Sequence, residues 1–129
     1  MAIQAVYLDT HVVVWLAAGK ISQITPKAQA LIETADLLLS PMALMELEYL
    51  YELKRIRLRG RDLFQKVAHE TGLQLCDLPF PSIAGAALDE MWTRDPFDRL
   101  IVAQAKANGF APLLSADAEI RKHYPRTVW

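Results

Sequence analysis

Cysteine occurs once in the 129 residues, at Cys76, so no internal disulfide can form and the core alone must hold the fold. The single thiol reads as a small buried hydrophobe in a strand, and the lack of a disulfide framework points to a cytoplasmic protein. No apolar run approaches the ~20 residues of a membrane span, and no basic-then-apolar leader opens the chain, so neither an anchor nor a secretion signal is expected. The three histidines are scattered without ligand spacing, which argues against zinc. Excess charge is missing too. Lys and Arg number 14 and Asp and Glu 15, a net charge of −1, without the basic footprint of a protein that coats duplex nucleic acid. An enzyme that cuts nucleic acid remains open, because bound divalent cations reverse the sign of an acidic site. Linkers, repeats and low-complexity segments are also absent, so 1–129 reads as one domain, large enough to bury roughly two-thirds of its unfolded surface.

Apolar residues, in contrast, make up 53% of the chain, enough for a sizeable core with apolar surface left for a partner. They fall into alternating short runs and helical patterns. Strands are expected at 3–8, 36–40, 73–78 and 111–115, with a fifth at 126–129. The stretch from His11 reads as a helix stopping near Gly19. Thr25-Pro26, Ser40-Pro41 and Asp95-Pro96 each pair a capping side chain with a proline at the first helical position. The second of these helices should run to about Leu53, and the third to Asn108-Gly109. Gly60 opens another helix that Gly72 closes, Pro79 and Pro81 bracket a turn before a helix at about 82–91, and a short helix spans 117–122. Such alternation predicts an α/β fold with a parallel sheet of four to five strands and helices on both faces.

Asp9, Glu46, Asp98 and Asp117 lie far apart in sequence, yet each sits where a strand hands over to a helix. In an open parallel sheet, sites form beyond the carboxyl ends of the strands, so the four should converge. Glu46 is about five residues into its helix, roughly 7–8 Å along the axis, and a side chain leaning toward the N-terminus can still reach the rim. Glu48, about 200° around the same helix, should face elsewhere. Helix capping alone would also favour Asp9, Asp95 and Asp117, so the set of four is more specific than any member. Convergent carboxylates suit Mg²⁺ or Mn²⁺ and phosphodiester hydrolysis.

These motifs resemble the PIN-domain ribonucleases, and among them the VapC-type toxins of toxin–antitoxin pairs. The resemblance rests on YLDTHVVVWL, on Ser40 through Glu46, on DPFDRLIVAQA at 95–105 and on LLSAD at 113–117, and it covers nearly the full length. It implies a three-layer α/β/α fold and metal-dependent RNA cleavage, with Asp9, Glu46, Asp98 and Asp117 as metal-binding and catalytic acids. Asp95, Thr10 and Ser115 match supporting positions, Ser115 standing where Thr is more usual. The resemblance further implies an RNA substrate, a cognate antitoxin whose arginine could enter the acids, and a toxin that itself dimerises.

The run KRIRLRGR offers Lys54, Arg55 and Arg57 as RNA contacts, and Arg99 beside Asp98 is a further phosphate candidate. His11 reads as a packing or surface residue rather than a general base, and Trp15, Trp92 and Trp129 as core or interface. A non-catalytic acidic-pocket or signalling module is the rival reading. A receiver domain would need paired acids after the first strand and a lysine after the fifth, whereas LDTHV carries one acid and the last strand closes the sequence.

Overall fold

The computed structural model describes residues 4–129. Strand β1 (Ala5–Leu8) leads into α1 (Thr10–Ala17), and a 3-10 turn at Ile21–Gln23 precedes α2 (Pro26–Thr34) and β2 (Asp36–Leu39). Helices α3 (Pro41–Glu52) and α4 (Gly60–Thr71) connect to β3 (Gln74–Leu75). Helices α5 (Phe80–Ala87) and α6 (Pro96–Ala107) lead to β4 (Leu113–Leu114), and α7 (Ala118–His123) to β5 (Thr127–Val128). The five strands pair in parallel in the order β3-β2-β1-β4-β5. Two crossovers run one way from β1, and the later ones run back past it. Right-handed connections therefore place the two helix groups on opposite faces of the sheet. The expected three-layer α/β architecture is the observed one.

The local signals act as read. Thr25 and Ser40 accept from Ala28 N and Met42 N, each with proline in the first turn, and Gly72 ends α4 at φ 78°. Boundaries differ for physical reasons. β3 and β4 are shorter than 73–78 and 111–115, although Cys76 N still donates to Leu39 O at 2.9 Å and Ser115 N to Val128 O at 3.4 Å. Helix α5 begins at Phe80 because Pro81 fits a first turn, where its missing N–H costs nothing. Ile3, expected in the first strand, lies outside the described residues.

Cys76 is buried as expected. Tyr7, fully buried, donates its hydroxyl to Cys76 Sγ at 2.9 Å and accepts from Asn108 Nδ2 at 2.8 Å. Burial, aided by the Cys76 bond, pushes the Tyr7 phenol well above its ordinary range, so it stays protonated. Helices α3 and α4 meet at Gly60, where an added Cβ would lie 2.8 Å from Glu48 N and 3.1 Å from Leu44 O. The link from α5 to α6 is tied down by Glu90, 1% exposed. Trp92 Nε1 donates to Glu90 Oε2 at 2.6 Å, and Lys106 forms an ion pair with Oε1 without aligning a hydrogen bond. Trp92 in turn stacks on His123 at 4.9 Å between ring centroids. No helix among the described residues is long and apolar enough to cross a membrane.

Candidate active site

The crossovers diverge between β1 and β4, so the carboxyl ends of these neighbours open into a crevice. Asp9 follows β1 directly, its N–H bonded to Leu114 O at 3.0 Å, and Asp117 lies just past β4 as the cap of α7. Helix α3 brings Glu46 from one side, and the start of α6 brings Asp95 and Asp98. All five acids line one cleft of about 300 Å³ with Thr10, His11 and the apolar Val14, Leu50 and Ile56. The expected convergence of Asp9, Glu46, Asp98 and Asp117 is what the fold produces.

Hydrogen bonds fix most of these carboxylates. Asp9, 3% exposed, accepts from Thr10 N at 2.8 Å and from Ser115 Oγ at 2.6 Å. Ser115 also accepts from Asp117 N at 3.1 Å, so one buried hydroxyl ties the two acids together. Thr10 Oγ1 donates to Glu46 Oε1 at 2.5 Å. Asp117 Oδ1 caps α7 through Glu119 N and Ile120 N, and Asp95 Oδ1 caps α6 through Phe97 N and Asp98 N. Capping and clustering thus coexist in the same side chains.

Asp98 stands apart: among the described residues it has neither a side-chain donor nor a basic partner. Burial, with the charges of Asp95, Asp9, Asp117 and Glu46, pushes its carboxyl from 3.8 up to about 7. Burial also raises Glu46, partly offset by the Thr10 bond, with Asp9 and Asp95 adding to the rise. A concentration of hard oxygen donors without a compensating cation matches what Mg²⁺ or Mn²⁺ needs. Among the described residues, no three acidic, histidine or cysteine side chains are drawn together tightly enough to hold an ion as they stand. Like charges repel, and no cation stands among these acids to offset that repulsion in the described residues.

His11 lines the cleft, yet it packs against Trp15 at 4.8 Å and Trp129 at 6.2 Å between centroids. Its Nε2 accepts from Ala116 N at 2.9 Å, which puts the proton of the neutral ring on Nδ1, 3.4 Å from Asp9 Oδ2. With both nitrogens so engaged, the ring is not placed to take a proton from water. Glu48 turns away from the cleft, accepting from Gly60 N at 2.9 Å and Arg59 Nη2 at 2.6 Å. Arg99 departs from expectation. Its guanidinium donates to Ala87 O at 3.0 Å and Leu88 O at 3.4 Å, closing the end of α5 instead of facing the acids. Lys54, Arg55 and Arg57 are exposed and outside the acidic cleft. Sequence reasoning missed the apolar rim of Val14, Leu50 and Ile56, which no local motif marks.

The PIN domain family profile matches residues 6–124. Ribonuclease VapC22 from Mycobacterium tuberculosis is 32% identical over 129 residues, covering 96% of this chain and 98% of that protein. VapBC2 from Rickettsia felis, solved bound to a DNA fragment from its promoter, superposes with a TM-score of 0.63 at 15% identity, covering 97% of this chain and 96% of that one. A toxin–antitoxin complex from Klebsiella pneumoniae gives 0.59 at 15% identity, covering 96% of each chain. At such identities the solved structures establish the fold.

Proposed function

The chain belongs to the PIN-domain family, and from that premise we propose that it is a Mg²⁺- or Mn²⁺-dependent endoribonuclease, the toxin of a toxin–antitoxin pair. The observation that carries the reading is the partnerless Asp98, held up to about 7 by burial and four neighbouring acids. A bound Mg²⁺ or Mn²⁺ would supply Lewis-acid charge to the scissile phosphate and the attacking water. Asp9, Glu46, Asp98 and Asp117 would hold it. Ser115 and Thr10 would have supporting roles. They orient Asp9 and Glu46 through the 2.6 and 2.5 Å bonds, so less freedom is lost on binding. Val14, Leu50 and Ile56 add an apolar wall to the cleft. No protein nucleophile is required.

The name of the 32%-identical relative supports ribonuclease chemistry, and the toxin–antitoxin titles of the structural neighbours support an antitoxin partner. Exposed Met45, Phe80 and Met91 supply apolar surface for that partner or for a second toxin copy. The test is cleavage of a panel of tRNAs and rRNA by purified protein. Cleavage is expected with Mg²⁺ or Mn²⁺ and not with EDTA, and expression of the chain alone is expected to arrest growth. Full cleavage in EDTA would overturn the mechanism, and unrestrained growth with soluble folded protein would overturn the toxin role.

A further inference from the structure

A second cleft of about 520 Å³ adjoins the acidic one, and Val14 and Ile56 line both. Its charged walls are Lys20, Arg55 and Arg57. The geometry points to these three side chains as the grip on the phosphodiester backbone of single-stranded RNA beside the scissile phosphate. This inference rests on the ribonuclease reading and names the residues that would hold the substrate for it.

The cleft is built by the way α3 ends. Lys54 adopts φ 62°, with Lys54 N bonded to Tyr51 O and Arg55 N to Leu50 O, both at 2.9 Å. That pair of bonds is the Schellman closure, which reverses the chain sharply. Ile56 then turns inward to half-burial while Arg55 and Arg57 remain exposed on either side of it. The facing wall comes from the end of α1, where Gly19 at φ 69° turns the chain and Lys20 N bonds to Trp15 O at 2.9 Å. Lys54, adjacent in sequence to Arg55, does not line the cleft, whereas Lys20, 35 positions before Arg55, does.

Of the eleven other Lys and Arg side chains, four have structural partners among the described residues. Arg59 pairs with Glu48, Lys66 donates to Ala17 O, Arg99 to Ala87 O, and Lys106 pairs with Glu90. Among the described residues, Lys20, Arg55 and Arg57 make no ion pair or side-chain hydrogen bond. Unpaired cations thus stand next to the acidic cleft across the shared Val14 and Ile56. The acids repel a polyanion, so a strand that delivers one phosphate to them needs countercharge for the next ones. Arg55 and Arg57 can each give forked hydrogen bonds to phosphate oxygens, and Lys20 adds a point charge.

The test uses the full chain with Lys20→Gln, Arg55→Gln and Arg57→Gln singly and together, and Lys122→Gln on α7 as control. Binding of a fluorescein-labelled oligouridylate is read by anisotropy in EDTA across a salt series, and KM and kcat are read with Mn²⁺. Each cleft substitution should weaken binding about three- to tenfold and lower the slope of log K against log salt by about 0.7. KM should rise with kcat nearly constant, and Lys122→Gln should change neither. Wild-type affinity and slope in the folded triple variant would overturn the inference. So would poly-L-glutamate displacing the oligonucleotide at lower concentration than unlabelled oligouridylate does, which would mark the cleft as a site for an acidic protein. No cleavage by wild type in Mn²⁺ would defeat the ribonuclease reading, while the anisotropy series would still decide the cleft.

Discussion

Glu90 and Asp98 are both acids withdrawn from water, and the fold treats them in opposite ways. Glu90 has Lys106 as counter-ion and Trp92 as hydrogen-bond donor, and it holds the link between α5 and α6. Asp98 has four like charges nearby and, among the described residues, no basic partner, and its carboxyl rises to about 7. A partnered buried charge ties elements together, and removing its counter-ion strands the other ion. An unpartnered acid crowded by like charges should weaken the metal-free fold and keep its binding capacity for something from outside. The contrast sets a structural acid beside the one that the proposed function assigns to the metal.

The strongest way to break this contrast is activity. Asp98→Asn and Glu46→Gln are each expected to lower RNA cleavage by about a hundredfold or more, the scale of losing one preorganised electrostatic group. Glu48→Gln should leave cleavage intact, because Glu48 serves the start of α4. Equal losses at Glu46 and Glu48 would show that the helix face has been misassigned. The next effect is on stability. Lys106→Met leaves the Glu90 carboxylate buried without its cation and should cost about 2 kcal/mol in urea unfolding, less than for a fully buried pair because Lys106 is partly exposed. Cleavage per folded molecule should stay at the wild-type level.

A smaller effect concerns pH. Between its ordinary 3.8 and about 7, folded Asp98 keeps a proton that the unfolded chain has released. Stability of the metal-free protein should therefore fall as pH rises through that window, then level off. Solvent access and relaxation reduce the effect to about 1 kcal/mol, below what the full shift would give. Glu46, also raised, acts in the same direction. Thermal melts of Asp98→Asn should show a shallower fall, and millimolar Mn²⁺ should raise the wild-type melting temperature but not that of the variant. A variant that keeps the wild-type pH slope would remove Asp98 from the account. The smallest expected effect is at Lys54, where a non-glycine residue holds φ 62°. Lys54→Gly should stabilise by about 0.5 kcal/mol through relief of left-handed strain, measured by urea unfolding.

Much of the acidic cleft was legible because its determinants are local. Asp9 and Asp117 follow strands, Asp95 and Asp98 begin a helix, and the angular step of a helix separates Glu46 from Glu48. Thr-Pro, Ser-Pro and Asp-Pro marked three helix starts because cap and proline act within one turn. What was not legible depends on contacts between distant segments. Arg99 sits beside Asp98 in sequence, but the open carbonyls of α5 claim it, and those appear only once α5 and α6 pack. Glu90 carries no motif, since its partners come from the following loop and from α6. Lys20 becomes a neighbour of Arg55 and Arg57 only through the packing of α1 beside the turn after α3. The reversal of direction between β1 and β4, which opens the crevice, is a property of strand order and has no residue signature.

The missing side chain at Gly60 has a genetic consequence. A methyl group there would press on the backbone of α3 at Glu48 and Leu44, within one turn of Glu46. The position of a Cβ is fixed by its own backbone and the atoms it would meet are main chain of α3, so no rotamer change relieves the clash. Separating the helices would carry Glu46 away from Thr10 and displace the turn that carries Arg55 and Arg57. Under the proposed toxin role, a growth selection for loss of toxicity would therefore return Gly60 alleles among the carboxylate alleles, although residue 60 lines neither cleft.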